Sequence, residues 1–107
     1  MNYEFKRVYR RGSLKAGRYL VLYTLKNRYE NNRLGITTSK KVGKSVKRNK
    51  ARRLMKEIYR IYKDQLEIGY DIIFIARKNM ESASFVELET TTERLLKRIK
   101  LLIGEEI

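Results

Sequence analysis

The sequence predicts an α+β or α/β fold in which helices pack on a small sheet. Residues 18–26 and 70–76 are rich in β-branched, aromatic and other apolar side chains, which is typical of strands. Residues 51–61 place apolar side chains at helical spacing, and Ser84 with Glu87 matches a capping box that opens another helix. No internal repeat or low-complexity linker interrupts the 107 residues, so we expect one domain spanning the chain.

The N-terminal third is predicted to contain a helix and two strands. Asn2 is a candidate N-cap for a helix that ends at Arg11, before Gly12. Residues 12–17 are predicted to form a turn region with a short strand. The longer strand 18–26 follows.

The rest of the chain continues the pattern to give the order αβββαβα. After a polar loop, residues 34–39 alternate as in a half-buried strand. Ser45 is predicted to cap a long helix that ends near Gln65, and residues 70–76 read as a central strand. The last helix turns its leucine-rich side inward, with the apolar residues Leu88, Leu95, Leu96, Ile99 and Leu102.

Positive charge is concentrated in the first part of the chain. Residues 1–60 carry 19 Lys or Arg and three acidic residues, whereas residues 61–107 carry seven and nine. Such asymmetry indicates nucleic acid or another anionic surface as the partner.

Residues 40–60 combine this charge with helical periodicity. Ten of these 21 residues are Lys or Arg, and apolar positions repeat at i, i+3, i+4, i+7 and i+10 from Ala51. The residues opposite that stripe, which are neighbours at i, i+3 and i+4 spacing, are three arginines and one asparagine: Arg48, Asn49, Arg52 and Arg53. Guanidinium groups suit phosphates, so this patch is a candidate polyanion-binding surface. A solvated helix face is the alternative.

Aromatic residues form a second candidate surface. Phe5, Val8 and Tyr9 share one side of the first helix. If Val21 and Tyr23 share a face of strand 18–26, its other face carries Leu20, Leu22 and Thr24. Aromatics flanked by Lys and Arg can stack single-stranded bases, although they can equally anchor the helix to the sheet.

The composition narrows the possible chemistry. The chain has no His and no Cys, which excludes imidazole and thiolate catalysis and fits a reducing compartment. No segment is long and apolar enough to span a bilayer, and the N-terminus lacks a signal-peptide pattern. Asp64, Glu67 and Asp71 form a local acidic cluster, best explained by turn and cap chemistry. We expect no catalytic and no metal-binding residues.

Taken together, these segments resemble the bacterial ribonuclease P protein component over nearly the whole chain. The motifs are FKRVYRRG at 5–12, RYLVLYTL at 18–25, LGITTSKKVGKSVKRNKARR at 34–53 and DIIFIARK at 71–78. The segment 34–53 is the most specific of them. The family's R-N-R motif reads Arg48-Asn49-Lys50 here, so its third position keeps the charge but loses the bidentate guanidinium.

The resemblance implies a two-layer α+β sandwich like domain 2 of ribosomal protein S5, with a small mixed sheet. It also implies a left-handed βαβ crossover around the basic helix, although general statistics favour the right-handed form. The implied function is that of the protein subunit of a cytoplasmic ribonucleoprotein endonuclease that removes the 5′ leader from precursor tRNA. Catalytic groups and most Mg²⁺ would belong to the RNA subunit, with no membrane and no small-molecule substrate involved.

The resemblance also assigns two sets of residues. Those implied to bind the RNA subunit are Lys40, Lys41, Lys44, Arg48, Asn49, Lys50, Arg52 and Arg53. Those implied to line a cleft for the single-stranded leader are Phe5, Tyr9 and Tyr23. The chain begins close to its first helix, where relatives usually carry a basic extension, so contacts from such an extension are left open.

Two other functions remain open at this point. A small ribosomal or general RNA-binding protein would share the basic composition. A metal-dependent protein nuclease would have to use Asp64, Glu67 and Asp71.

Overall fold

The computed structural model describes residues 3–38 and 40–103, and the side chains of residues 6–38 and 41–103. Its helices are α1 (Tyr3–Arg11), α2 (Ser45–Tyr62) and α3 (Phe85–Arg98). Its strands are β1 (Ser13–Ala16), β2 (Leu20–Lys26), β3 (Arg33–Thr38) and β4 (Tyr70–Ala76). Single 3₁₀ turns occupy Lys40–Val42, Lys63–Gln65 and Met80–Ser82. The predicted order αβββαβα is confirmed.

The four strands form one mixed sheet in the order β1-β2-β4-β3. β2 pairs antiparallel with both β1 and β4, whereas β3 pairs parallel with β4. The predicted α+β class and mixed sheet are therefore confirmed. Because β3 and β4 are parallel neighbours, α2 forms the crossover between them. The left hand of that crossover stays a prediction.

One face of the sheet carries the main core. On β2, Leu20, Leu22 and Thr24 are buried, and Leu22 lies opposite Phe74 of β4. The helix residues that complete this core include Met55 and Ile58 from α2 and Leu88, Leu95 and Leu96 from α3. α2 and α3 thus form a helical layer over this face, which leaves the other face of the sheet to α1 and solvent.

The opposite face is only partly covered. The prediction that Val21 and Tyr23 share one face of β2 is confirmed. Both side chains are half-buried, whereas Leu20, Leu22 and Thr24 on the other face are buried. α1 lies against β2 and β4 here, and its Val8 is completely buried. A partly open sheet surface bordered by a basic helix is the result.

The helix caps match the predictions in one of the two cases that the structure describes. At α3, Ser84 Oγ accepts from the Glu87 amide and Glu87 Oε1 accepts from the Ser84 amide, so the capping box is confirmed. At α2 the predicted Ser45 cap is wrong: the N-cap is Lys44, and Ser45 is the first helical residue. After the turn at Gly43, whose φ is +132°, the helix begins one residue earlier than a Ser45 cap requires. Asn2 lies outside the described residues.

Within residues 3–38 and 40–103, no helix combines the length and apolar character required to cross a membrane.

Candidate nucleic-acid interface

α2 has a buried side and a basic side. Its buried residues are Ala51, Met55, Ile58 and Tyr62. The predicted stripe was wrong at its end, because Ile61 is 41% exposed. Tyr62 lies four residues after Ile58 and so stays on the buried side, whereas Ile61 has rotated away from it. The predicted site residues that are exposed around this helix are the basic Lys44, Lys50, Arg52 and Arg53 and the polar Asn49.

The positive charge of this side is not neutralised within the described part of the chain. No salt bridge there involves Lys44, Lys50, Arg52 or Arg53, and the acidic residue within α2 is Glu57. Lys47 does pair with Glu81, at 3.0 Å between Nζ and Oε2. The α2 surface therefore keeps a dense positive potential, which attracts and orients a polyanion.

Arg48 differs from its neighbours because it is half-buried. Its Nη2 donates to Ser45 Oγ at 3.2 Å, and its Nε is buried without a hydrogen-bond partner among the described residues. A buried guanidinium N–H without an acceptor is costly, so an incoming phosphate oxygen or water at this position would be stabilising.

The predicted RNA-binding lysines before α2 lie in the segment that leads directly into the helix. Lys40 and Lys41 belong to the 3₁₀ turn that follows β3, and Lys41 is exposed. The side chain of Lys40 lies outside the described residues. Lys44 follows at the N-cap, so the predicted RNA-subunit residues form one continuous basic segment of the chain.

Tyr9 and Tyr23 meet on the partly open face of the sheet. Their ring centroids are 4.9 Å apart and their planes are inclined by 85°, which is an edge-to-face contact. Both side chains are half-buried. Burial and the nearby Tyr23 raise the pKa of Tyr9, so its hydroxyl stays neutral and able to donate a hydrogen bond. The contact anchors α1 to the sheet and still leaves aromatic surface exposed. The side chain of Phe5 lies outside the described residues.

The three carboxylates of the acidic cluster have different environments. Asp64 and Glu67 are exposed, whereas Asp71 is buried on β4. Arg33 binds Asp71 in bidentate fashion, with Nε–Oδ1 and Nη2–Oδ2 distances of 2.7 Å, and Asn27 Nδ2 donates to Oδ1 at 3.0 Å. Across the described residues, no three His, Cys, Asp or Glu side chains gather as a potential metal site. Asp71 therefore takes part in a structural ion pair.

Ionisation of Asp71 is favoured by these partners. Burial alone would raise its pKa, but hydrogen bonds from Arg33 and Asn27 and the charges of Arg33 and Arg7 together hold the pKa below its usual value. Sequence patterns give no sign of this pair, because Arg33 and Asp71 are 38 positions apart and meet only through the β3–β4 register.

The chain is similar in sequence to proteins of one family. A sequence model of the family described as Ribonuclease P matches residues 1–100. The ribonuclease P protein component of Clostridium botulinum is 50% identical over 98 residues, which is 91% of this chain and 88% of that protein. Its counterpart in Clostridioides difficile is 45% identical over 101 residues, covering 94% of this chain and 89% of that protein.

Solved structures agree with the sequence comparison. The RNase P protein of Staphylococcus aureus superposes with a TM-score of 0.86 at 35% identity, covering 95% of this chain and 94% of that one. The RNase P protein of Thermotoga maritima gives a TM-score of 0.81 at 33% identity, covering 90% and 91%.

Proposed function

Because this chain belongs to the ribonuclease P protein family, we propose that it serves as the non-catalytic protein subunit of the endonuclease that removes the 5′ leader from precursor tRNA. The observation that supports two distinct binding roles is that the two candidate surfaces are separated by the sheet. The basic side of α2 and the Tyr9–Tyr23 surface lie on elements packed against opposite faces of the sheet.

The α2 surface is proposed to bind the RNA subunit. Among the described residues, Arg52 and Arg53 are exposed without an ion pair, and no acceptor meets the buried Nε of Arg48. Guanidinium groups bind phosphate oxygens bidentately, and the amide of Asn49 can both donate and accept at a ribose hydroxyl or base edge. Lys40, Lys41, Lys44 and Lys50 would add charge without that fork geometry.

The Tyr9–Tyr23 surface is proposed to hold the single-stranded leader, together with Phe5. Tyr9 and Tyr23 offer half-exposed rings close to the arginines and lysines of α1. Bases stack on such rings regardless of sequence while cations hold the backbone. A sequence-tolerant site suits leaders, which differ among tRNA precursors.

Mg²⁺ and the reacting groups are proposed to lie on the RNA subunit. The carboxylates that would otherwise bind a hard cation are dispersed or, in Asp71, held by Arg33. The cations of α2 would instead screen RNA phosphates and lower the Mg²⁺ concentration that the complex needs. A cytoplasmic location is proposed as well, which the absence of cysteine from the sequence fits.

Reconstituted cleavage tests this function. Precursor tRNA is incubated at low Mg²⁺ with the RNA subunit, with this protein, and with both, and the rate of leader removal is measured. We expect no cleavage by the protein alone and faster cleavage by the complex than by the RNA alone. Equal rates with and without the protein would refute the proposal, and co-sedimentation with ribosomes without preference for precursor tRNA would favour a general RNA-binding protein.

A further inference from the structure

The guanidinium of Arg48 is partly enclosed at the start of α2, unlike those of the arginines on the next turn. Arg48 is half-buried, and its Nε is buried without a hydrogen-bond partner among the described residues. Arg52 and Arg53 are exposed. An exposed arginine samples many rotamers and loses that freedom when it binds a phosphate. Arg48 has lost part of it in the folded protein, before any ligand arrives.

The side-chain contact that restrains Arg48 comes from Ser45, the first residue of α2. Arg48 Nη2 donates to Ser45 Oγ at 3.2 Å. Residues at i and i+3 are neighbours on a helix surface, so the two side chains meet along the axis of α2. The Arg48 amide also donates to Lys44 O at 3.0 Å, which ties its backbone to the same turn. Both the backbone and the side chain of Arg48 are therefore fixed by the first turn.

The hydroxyl of Ser45 does not cap the helix. Serine near a helix start commonly bonds to a free amide of the first turn. Here the N-cap is Lys44, no side chain caps it, and within the described chain the partner of Ser45 Oγ is Arg48. Alanine is as good a helix former as serine or better, so the helix itself does not require this hydroxyl. Its effect falls on the orientation of Arg48.

A guanidinium held in this way remains able to bind a phosphate. It has five N–H donors, and the bond to Ser45 Oγ uses one of them. A phosphate oxygen that reaches the enclosed Nε would satisfy a donor that has no acceptor among the described residues. Because the planar fork is already oriented, less conformational entropy is lost when the phosphate binds.

We propose that Ser45 is a positioning residue for Arg48, whose guanidinium its hydroxyl orients toward a phosphate of the RNA subunit. The inference rests on the role proposed above for the α2 surface. The Ser45 hydroxyl is itself exposed and keeps a proton that it can donate to RNA directly. The experiment separates that direct contact from positioning.

The test uses four variants of the full-length protein. Ser45→Ala removes the hydroxyl, and Ser45→Thr keeps one at the same position. Ser45→Val has the shape of the threonine variant without its hydroxyl. Thr90→Ala is the control, since it removes an exposed hydroxyl from α3, far along the chain from α2. Circular dichroism and thermal melting check that each variant is folded.

The affinity of each protein for the RNA subunit is measured at several salt concentrations. Ser45→Ala and Ser45→Val should each lose about two- to tenfold in affinity, the effect of one missing hydrogen bond. Ser45→Thr and Thr90→Ala should bind as the wild type does. The slope of log K against log salt should not change for Ser45→Ala, because no charge is removed. For Arg48→Ala that slope should fall in magnitude by about one unit.

A double-mutant cycle decides between positioning and direct contact. In an Arg48→Ala background, Ser45→Ala should cause no further loss of affinity, because the group that it orients is already absent. An equal loss in both backgrounds would overturn the inference, since the hydroxyl would then act on RNA by itself. Wild-type affinity for Ser45→Ala, or failure of Ser45→Thr to restore binding, would overturn it as well.

These outcomes are distinct from failure of the proposed function. If the wild-type protein binds the RNA subunit and Ser45→Ala binds it equally well, the positioning role fails and the proposed function stands. If the wild-type protein does not bind the RNA subunit, both are refuted.

Discussion

Asp71 and Arg33 form an ion pair that links the beginnings of β4 and β3. The Asp71 carboxylate, with a side chain 6% exposed, joins β4 to β3 through two contacts of 2.7 Å and accepts a hydrogen bond from Asn27 in the turn after β2. Loss of the pair would loosen both strand ends and the turn after β2.

Asp71→Asn should destabilise the fold by roughly 2–3 kcal/mol, less than the loss from a fully buried pair, because Arg33 is partly exposed. The folded-state pKa of Asp71 is lowered, so its stabilising effect is complete above the unfolded value of about 4. The effect disappears as the pH falls through the lowered pKa. Urea unfolding from pH 7 down to pH 2 measures both.

In that experiment the difference in free energy of unfolding between the wild type and Asp71→Asn should be constant near neutral pH and should shrink below about pH 4. A difference that stayed unchanged down to pH 2 would show that the ionised pair contributes nothing to stability.

At the residue scale, sequence alone could predict types of contact but not partners. The basic character of Arg48, Arg52 and Arg53 followed from composition and spacing. The buried Nε of Arg48 and the ion pair of Asp71 did not, because both depend on packing between distant segments. Lys50, which replaces the arginine expected from the family motif, is exposed, and nothing in the structure explains that replacement.

At the scale of the element, α2 contributes to the core and to the candidate RNA surface through opposite sides. Met55 is completely buried against the sheet, whereas Arg52 is exposed. Substitutions on the two sides should therefore separate stability from binding.

Met55→Ala should lower the free energy of unfolding by about 2–5 kcal/mol, through lost burial and the cavity that remains. Arg52→Ala should leave it within about 0.5 kcal/mol and lower the salt slope of RNA-subunit binding by about one unit. Chemical unfolding and salt-dependent binding are measured for both, with Arg94→Ala as the control for a lost surface charge. A salt slope for Arg52→Ala equal to that of the control would remove Arg52 from the interface.

Periodicity predicted the elements well where side chains alternate or repeat strongly. The alternation in β2 correctly separated Tyr23 from Leu22, and the Ser84–Glu87 motif located the start of α3. Predictions failed at the two ends of α2. Ser45 was not the cap, and Ile61 was not buried, because backbone geometry at Gly43 and the last turn of α2 decide those positions.

At the scale of the whole molecule, the sheet separates two proposed RNA-binding surfaces. α2 and α3 form a layer over one face, whereas α1 covers only part of the other. Family membership was predictable because the motifs extend over most of the chain, and it is confirmed by the family match to residues 1–100. The strand order β1-β2-β4-β3 was not predictable, since it arises from pairing between remote segments.

The division of labour between these surfaces is tested most directly by tRNA selectivity. Holoenzymes containing wild-type protein, Tyr9→Ala, Tyr9→Phe or Arg52→Ala are compared for their affinity for precursor and mature tRNA. Tyr9→Ala should weaken precursor binding by roughly 1–3 kcal/mol, the loss of one stacked base, with mature tRNA little changed. Tyr9→Phe should keep the preference because it keeps the ring. The holoenzyme with Arg52→Ala should also keep the preference for precursor tRNA, once the variant protein is saturated with RNA subunit. Equal weakening of both tRNAs by Tyr9→Ala would contradict the assignment of this surface to the leader.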